Sequence, residues 1–160
     1  MQEVRFIADA MLGRLARWLR LLGFDTLYEP DIRDGDLLKT ALREGRCILT
    51  RDTHFLRMKA LKNLLFIRSE NPVEQIVEVM RTFPDQAGRP GRCARCNGPL
   101  RVVGEKATVR DAVPEYVFLS VGEFFRCVSC GRIYWEGTHL KRFREMLGDV
   151  LPGGGRGEDR

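Results

Sequence analysis

Four of the five cysteines form two Cys-x-x-Cys pairs, Cys93 with Cys96 and Cys127 with Cys130. Two such pairs bring four thiolates onto one tetrahedral Zn²⁺, and a Cys₄ set leaves no open coordination position, so its role is structural. The 30 residues between the pairs must return the chain, most simply as a β-hairpin. Gly98-Pro99 and Gly131 follow the pairs, where tight turns are needed. A second group of residues has different chemistry: Asp9, Asp34, Asp36 and Asp52. Carboxylates converging on one rim repel each other unless a hard cation neutralises them, and Mg²⁺ or Mn²⁺ prefers such oxygen ligands. Taken singly, Asp34 is a helix cap, Asp52 a turn residue and Asp9 the start of a loop. Taken together at corresponding strand ends, they make a metal site.

The elements that must position these residues follow from periodicity. Val4 to Ala8 reads as a buried strand ending at Asp9, and Met11 to Leu22 as a helix with Leu12, Leu15, Leu19 and Leu22 on one face. On the opposite arc Arg14, Arg17 and Arg20 can hold nucleic-acid phosphates beside the acidic rim. Phe24 to Tyr28 is a second strand, entered through Gly23 as a helix stop. A helix over 35–44 is capped by Asp34. Cys47 to Thr50 and Leu64 to Ile67 are the next strands, and Asn71-Pro72 opens a helix running to Thr82. Strands and helices alternating in this way predict an α/β domain of three layers, with a mostly parallel sheet covered on both faces. Its ligands belong beyond the carboxyl ends of the strands, where Asp9 and Asp52 fall. The expected organisation is this domain over 1–83, a linker over 84–92, a zinc ribbon with a C-terminal helix near 140–147 over 93–150, and a disordered tail over 151–160.

Charge and composition bound the partners. The 27 basic and 22 acidic residues give a formal +5, which four zinc-bound thiolates reduce to about +3. The excess lies after residue 86, a mild basic bias compatible with a polyanion. No apolar run approaches the roughly 20 residues that span a bilayer. Reduced cysteines and the lack of a signal-peptide pattern at Met1 to Arg5 make the cytosol the expected compartment. Cys47, inside a strand, reads as a small core hydrophobe, and His54 as a loop histidine.

The stretches Phe6 to Arg20, Gly23-Phe24-Asp25-Thr26 and Glu44-Gly45-Arg46 leading to Leu49-Thr50-Arg51-Asp52 resemble the Mut-seven C-terminal family, PIN-like domains fused to a zinc ribbon. Tyr134 to His139, after the second cysteine pair, is similar to that family's closing signature. The resemblance covers about residues 4 to 147. It implies a PIN-like fold and metal-dependent ribonuclease activity. In that pattern the acid after the first strand is Asp9, the acid opening a middle helix is Asp34 with Asp36 as the alternative, and the Thr-x-Asp acid is Asp52. Related domains often carry a fourth acid just after it, where this chain has Thr53-His54-Phe55.

The function expected is RNA phosphodiester hydrolysis with Mg²⁺ or Mn²⁺ on Asp9, Asp34 and Asp52, and phosphates on Arg14, Arg17 and Arg20. The ribbon would hold the RNA, single-stranded or structured, with Arg132 and Tyr134 supplying a cation and a stacking surface. Trp135 is open between stacking and ribbon core. The competing expectations are a non-catalytic RNA-binding module, ribosome- or tRNA-associated, and a PIN-type toxin nuclease.

Overall fold

Phe6, Ile7 and Ala8 form strand β1 and are all buried, so each face of this strand is covered by another layer. The computed structural model describes residues 3–59, 61–84 and 91–150; the expected tail and residues 85–90 of the expected linker lie outside them. The chain divides into two compact units, Met1–Asn97 and Gly98–Arg160. No helix of the described residues is long and apolar enough to cross a membrane.

In the first unit β1 is followed by α1 (Gly13–Leu21), β2 (Thr26–Leu27), α2 (Asp34–Glu44), β3 (Cys47–Thr50), β4 (Leu64–Phe66) and α3 (Pro72–Thr82). The sheet order is β2-β1-β3-β4 and each pairing is parallel. Alternation along β1 divides the core. The Phe6 ring lies against Phe24 and Phe83, with centroids 5.6 and 5.3 Å away. Ile7 points to the other face, where Leu37 and Ala41 of α2 pack with Ile48 and Phe55. The predicted leucine stripe of α1 is buried throughout, at roughly 1.5–3 kcal/mol per side chain. Asn71 caps α3, its Oδ1 accepting from the Val73 and Glu74 amides, with Pro72 in the first turn. Asp34 differs from expectation. The helix already begins at Asp34, and the cap position belongs to Arg33, which makes no side-chain cap bond.

β2 is an edge strand, and the Thr26 amide and carbonyl face away from β1. Two side chains close that edge: Asn97 Oδ1 accepts from the Thr26 amide (3.0 Å) and Arg20 Nε donates to the Thr26 carbonyl (2.8 Å). Asn97 Nδ2 also donates to Asp25 Oδ1 (2.7 Å), the oxygen that accepts from Arg46 Nη1 (2.8 Å). Arg46 itself donates to the Phe6 carbonyl and pairs with Glu44. The segment through Cys93 to Asn97 is thereby held to the start of β2 within the first unit.

The second unit contains β5 (Leu100–Val102), a 3₁₀ helix (Lys106–Ala112), α4 (Glu115–Ser120), β6 (Phe125–Cys127), β7 (Ile133–Tyr134) and α5 (Thr138–Val150). The three strands pair antiparallel in the order β5-β6-β7. The simple hairpin expected between the cysteine pairs is not what forms. β5 and β6 do pair, but the chain between them makes a helical excursion with its own core of Val109, Val113, Val117 and Phe124. Trp135 packs on that core, edge-on to Phe124 with centroids 6.2 Å apart.

Asp25 supplies a pH test. Burial pushes its carboxyl up, but hydrogen bonds from Arg46 and Asn97 and the charges of Arg46 and Arg92 outweigh this and hold it below the ordinary 3.8. A depressed carboxyl contributes stability that is present above its unfolded value and lost as pH falls through the folded one. Asp25→Asn should therefore destabilise the protein by about 2 kcal/mol at pH 7. The deficit should shrink below about pH 4, as read from chemical denaturation across pH.

Candidate metal centres

The parallel register sets Ala8 beside Leu49, so Asp9 and Thr50 emerge together at the carboxyl ends of β1 and β3. The Asp9 amide donates to the Leu49 carbonyl (2.9 Å). Asp9 Oδ1 accepts from the Ala10 amide (2.7 Å) and Oδ2 from the Thr50 hydroxyl (2.9 Å). The same hydroxyl oxygen accepts from the Asp52 amide (3.0 Å), and Asp52 Oδ1 caps the following 3₁₀ turn at His54 (2.9 Å). One hydroxyl thus joins the Asp9 carboxylate to the Asp52 backbone. Asp9 is only 7% exposed and has no cationic side chain paired to it among the described residues. A buried carboxylate without a counter-charge suits a hard divalent cation. Of the Thr53-His54-Phe55 stretch that follows, Phe55 is buried in the core and the other two are exposed.

Asp34 and Asp36 lie in the first turn of α2, both exposed. They do not close around Asp9 and Asp52. Among the described residues, the four cysteines form the one group of three or more His, Cys, Asp or Glu whose ligand atoms lie within 4.8 Å of one another. The four aspartates of the rim do not form such a group among the described residues.

The arginine arc also divides. Arg14 and Arg17 are exposed. Arg20 is 5% exposed, and besides the Thr26 carbonyl it donates to the carbonyls of Ala94 (2.9 Å) and Arg95 (3.2 Å). Its guanidinium is spent inside the first unit, so the surface position expected for it does not hold. Of the ribbon residues expected to meet RNA, Arg132 is exposed and Tyr134 half-buried.

Sequence reasoning missed Tyr28. Its hydroxyl donates to the Ala10 carbonyl (2.9 Å), in the turn that follows Asp9. A Cβ on Gly13 would lie 2.8 Å from that hydroxyl oxygen and 3.0 Å from Cζ. The glycine therefore lets Tyr28 close over the start of α1, and only its lack of a side chain, with Tyr28 fifteen residues on, could have signalled this. Cys47 is no nucleophile, since burial pushes its thiol up to about 11.

The cysteine quartet is built from two like turns. The Cys96 amide donates to Cys93 Sγ and the Cys130 amide to Cys127 Sγ, both at 3.5 Å. The next residue in each case is left-handed, Asn97 with φ 68° and Gly131 with φ 78°. Gly98, expected as the turn residue, has another role: a Cβ there would lie 2.9 Å from Cys127 Sγ. A tetrahedron with Zn–S bonds of about 2.3 Å needs sulfurs roughly 3.8 Å apart, and four sulfurs within 4.8 Å meet that need. The cluster fits a zinc ribbon.

The family model described as the Mut7-C RNAse domain matches residues 4–147. No curated protein and no solved structure matches the chain.

Two measurements test these centres. Purified protein should carry one zinc per chain by elemental analysis, and Cys93→Ser or Cys127→Ser should release it with loss of the fold around the quartet, because metal binding is folding energy in so small a module. Gly13→Ala should cost about 1–3 kcal/mol by overpacking, and Tyr28→Phe in the same chain should recover part of it in a double-mutant cycle.

Proposed function

Because the chain belongs to the Mut7-C RNAse domain family, we propose that it is a metal-dependent ribonuclease acting at the rim formed by Asp9 and Asp52. The observation that carries this reading is the Thr50 hydroxyl, which donates to the Asp9 carboxylate and accepts from the Asp52 amide at adjacent strand ends. Asp9 and Asp52 would hold Mg²⁺ or Mn²⁺, with Asp34 or Asp36 completing the ligand set directly or through water. A cation held there would supply Lewis-acid activation of water and charge neutralisation at phosphorus. Asp9, sheltered from solvent, keeps its oxygens fixed by the Ala10 amide and the Thr50 hydroxyl, so the site is organised before substrate arrives. Arg14 and Arg17, exposed on the helix that follows Asp9, would hold RNA phosphates in register with the rim. Arg20 is excluded from that role by its burial.

The ribbon would bind RNA rather than cut it, since a Cys₄ set offers the metal no vacant position. Thiols gathered as metal ligands rather than as disulfides accord with a reducing, cytosolic setting. A second reading has one observation in its favour: among the described residues, no group of three or more acids that includes Asp9 and Asp52 has ligand atoms all within 4.8 Å of one another. On that reading the protein binds RNA without cleaving it.

The two readings separate in one assay, cleavage of total cellular RNA with Mn²⁺. Asp9→Asn and Asp52→Asn should each lower the rate by more than about a hundredfold, beyond the 10–100-fold typical of groups that only support a ligand. Both variants should fold as stably as wild type in the absence of divalent cation, because carboxylate repulsion falls. Cutting by both at the wild-type rate would end the nuclease reading. No cutting by any form, with RNA affinity indifferent to Mn²⁺, would favour the binding module. Arg14→Gln with Arg17→Gln should reduce cleavage more than affinity, since a misplaced phosphate costs rate as well as binding.

A further inference from the structure

Arg101 of β5 and Arg126 of β6 are directly opposite each other in the antiparallel register. Like charges in that relation repel, and a sheet gains nothing from the arrangement by itself. Both side chains are exposed, and neither makes a hydrogen bond or ion pair with a described residue. The nearby cations are already engaged: the Lys106 ammonium lies 4.9 Å from the Phe118 ring centre, and the Arg110 guanidinium 5.6 Å from it.

Alternation puts Arg101 and Arg126 on the face that carries Val103, Phe124 and Ile133, which pack in the second unit's core. The helical excursion covers one end of that face and leaves the other end open. There a groove of about 440 Å³ is lined by the two arginines, Val128, Gly104, Glu105 and Thr108. Its size falls within the roughly 300–1,000 Å³ of ligand sites. Val128, in the turn that follows β6, is 50% exposed and lines the groove with both arginines, an apolar surface beside two cations. The Thr108 hydroxyl is turned to the Glu105 carbonyl (2.7 Å). Glu105 is the one acid in the lining. Another groove on this unit mixes Arg110 with Asp111 and Glu115 and has no such excess of positive charge.

We propose that this groove holds the phosphates of single-stranded RNA, with Arg101 and Arg126 sharing one phosphate between their guanidinium groups. The proposal rests on the ribonuclease reading for its choice of anion. Two planar forks converging on one phosphate turn the cross-strand repulsion into a shared attraction. Val128 would meet a sugar or base next to it, and Glu105 would weaken binding by its charge.

The test uses the zinc-loaded full chain and a labelled oligouridylate, with binding followed by fluorescence anisotropy across salt and no Mg²⁺ or Mn²⁺ added. Arg101→Gln with Arg126→Gln should reduce the slope of log affinity against log salt by about 0.7, the value for one shared phosphate of a single strand. Lysine at both positions should keep most of the slope but bind more weakly, since the forked geometry is lost. Glu105→Gln should bind more tightly. These last two variants decide the matter even if the glutamine pair fails to fold. An unchanged slope in the glutamine pair, with tight binding by wild type, would overturn the groove and leave the nuclease reading intact. Wild type that cleaves RNA but does not bind the oligouridylate would do the same. Wild type that neither binds nor cleaves would sink both. A labelled oligoglutamate that binds more tightly than the RNA, and is lost in the glutamine pair, would reassign the groove to an acidic protein partner and overturn the proposal.

Discussion

The outward amide and carbonyl of Thr26 have no strand to pair with, and the way they are satisfied fixes how the first unit closes. A backbone pair left unmade at that depth would cost about 1–3 kcal/mol per group. Arg20 and Asn97 meet both groups, and each is itself committed elsewhere: Arg20 to the carbonyls of Ala94 and Arg95, Asn97 to Asp25. The first cysteine pair therefore folds as part of the sheet's edge. Asp25 and Arg46 extend the same network to the start of β1 through the Phe6 carbonyl. Removing one member leaves the others buried without partners, which is why such networks lose more than one bond at a time.

This arrangement keeps structure and chemistry at opposite ends of β1. Phe6, at its start, is next to Thr26 and the network, while Asp9 follows its last residue. Three residues of strand separate the two, about 10 Å. The end that carries the carboxylates is held by lighter means, one threonine hydroxyl and the amides of two short turns. Polar groups there keep lone pairs for a ligand, whereas those at the other end are consumed. The contrast accords with the division of labour proposed above.

Much of this was legible in the chain. The alternation of strand and helix, the leucine stripe of α1, the Asn71-Pro72 start of α3 and the four cysteines each rest on local spacing, and each formed as expected. Asp9 and the Thr50-x-Asp52 motif were found as strand-end acids, although the hydroxyl that links them could not be, since it needs the register of β1 on β3. Arg20 was misjudged for a geometric reason. Each three-residue step turns the direction back by about 60°, so the third arginine has rotated toward the covered flank, and its partners lie 74 and 75 residues away. Asn97 escaped notice because glycine is the expected left-handed residue. Here an asparagine accepts that conformation and contributes an amide that no glycine has. The helical excursion after β5 was hidden by length alone, since 30 residues are compatible with a long hairpin as well as with a small separate core.

The four sulfurs are not equivalent toward solvent. Cys93 and Cys127 are buried, and each accepts an amide hydrogen bond from its own turn, while Cys96 and Cys130 are exposed. An electrophile or peroxide arriving from solution meets the second sulfur of each pair first. Oxidative damage would thus begin at Cys96 and Cys130, while Cys93 and Cys127 stay sheltered, so that loss of the metal-holding set would proceed in stages rather than at once.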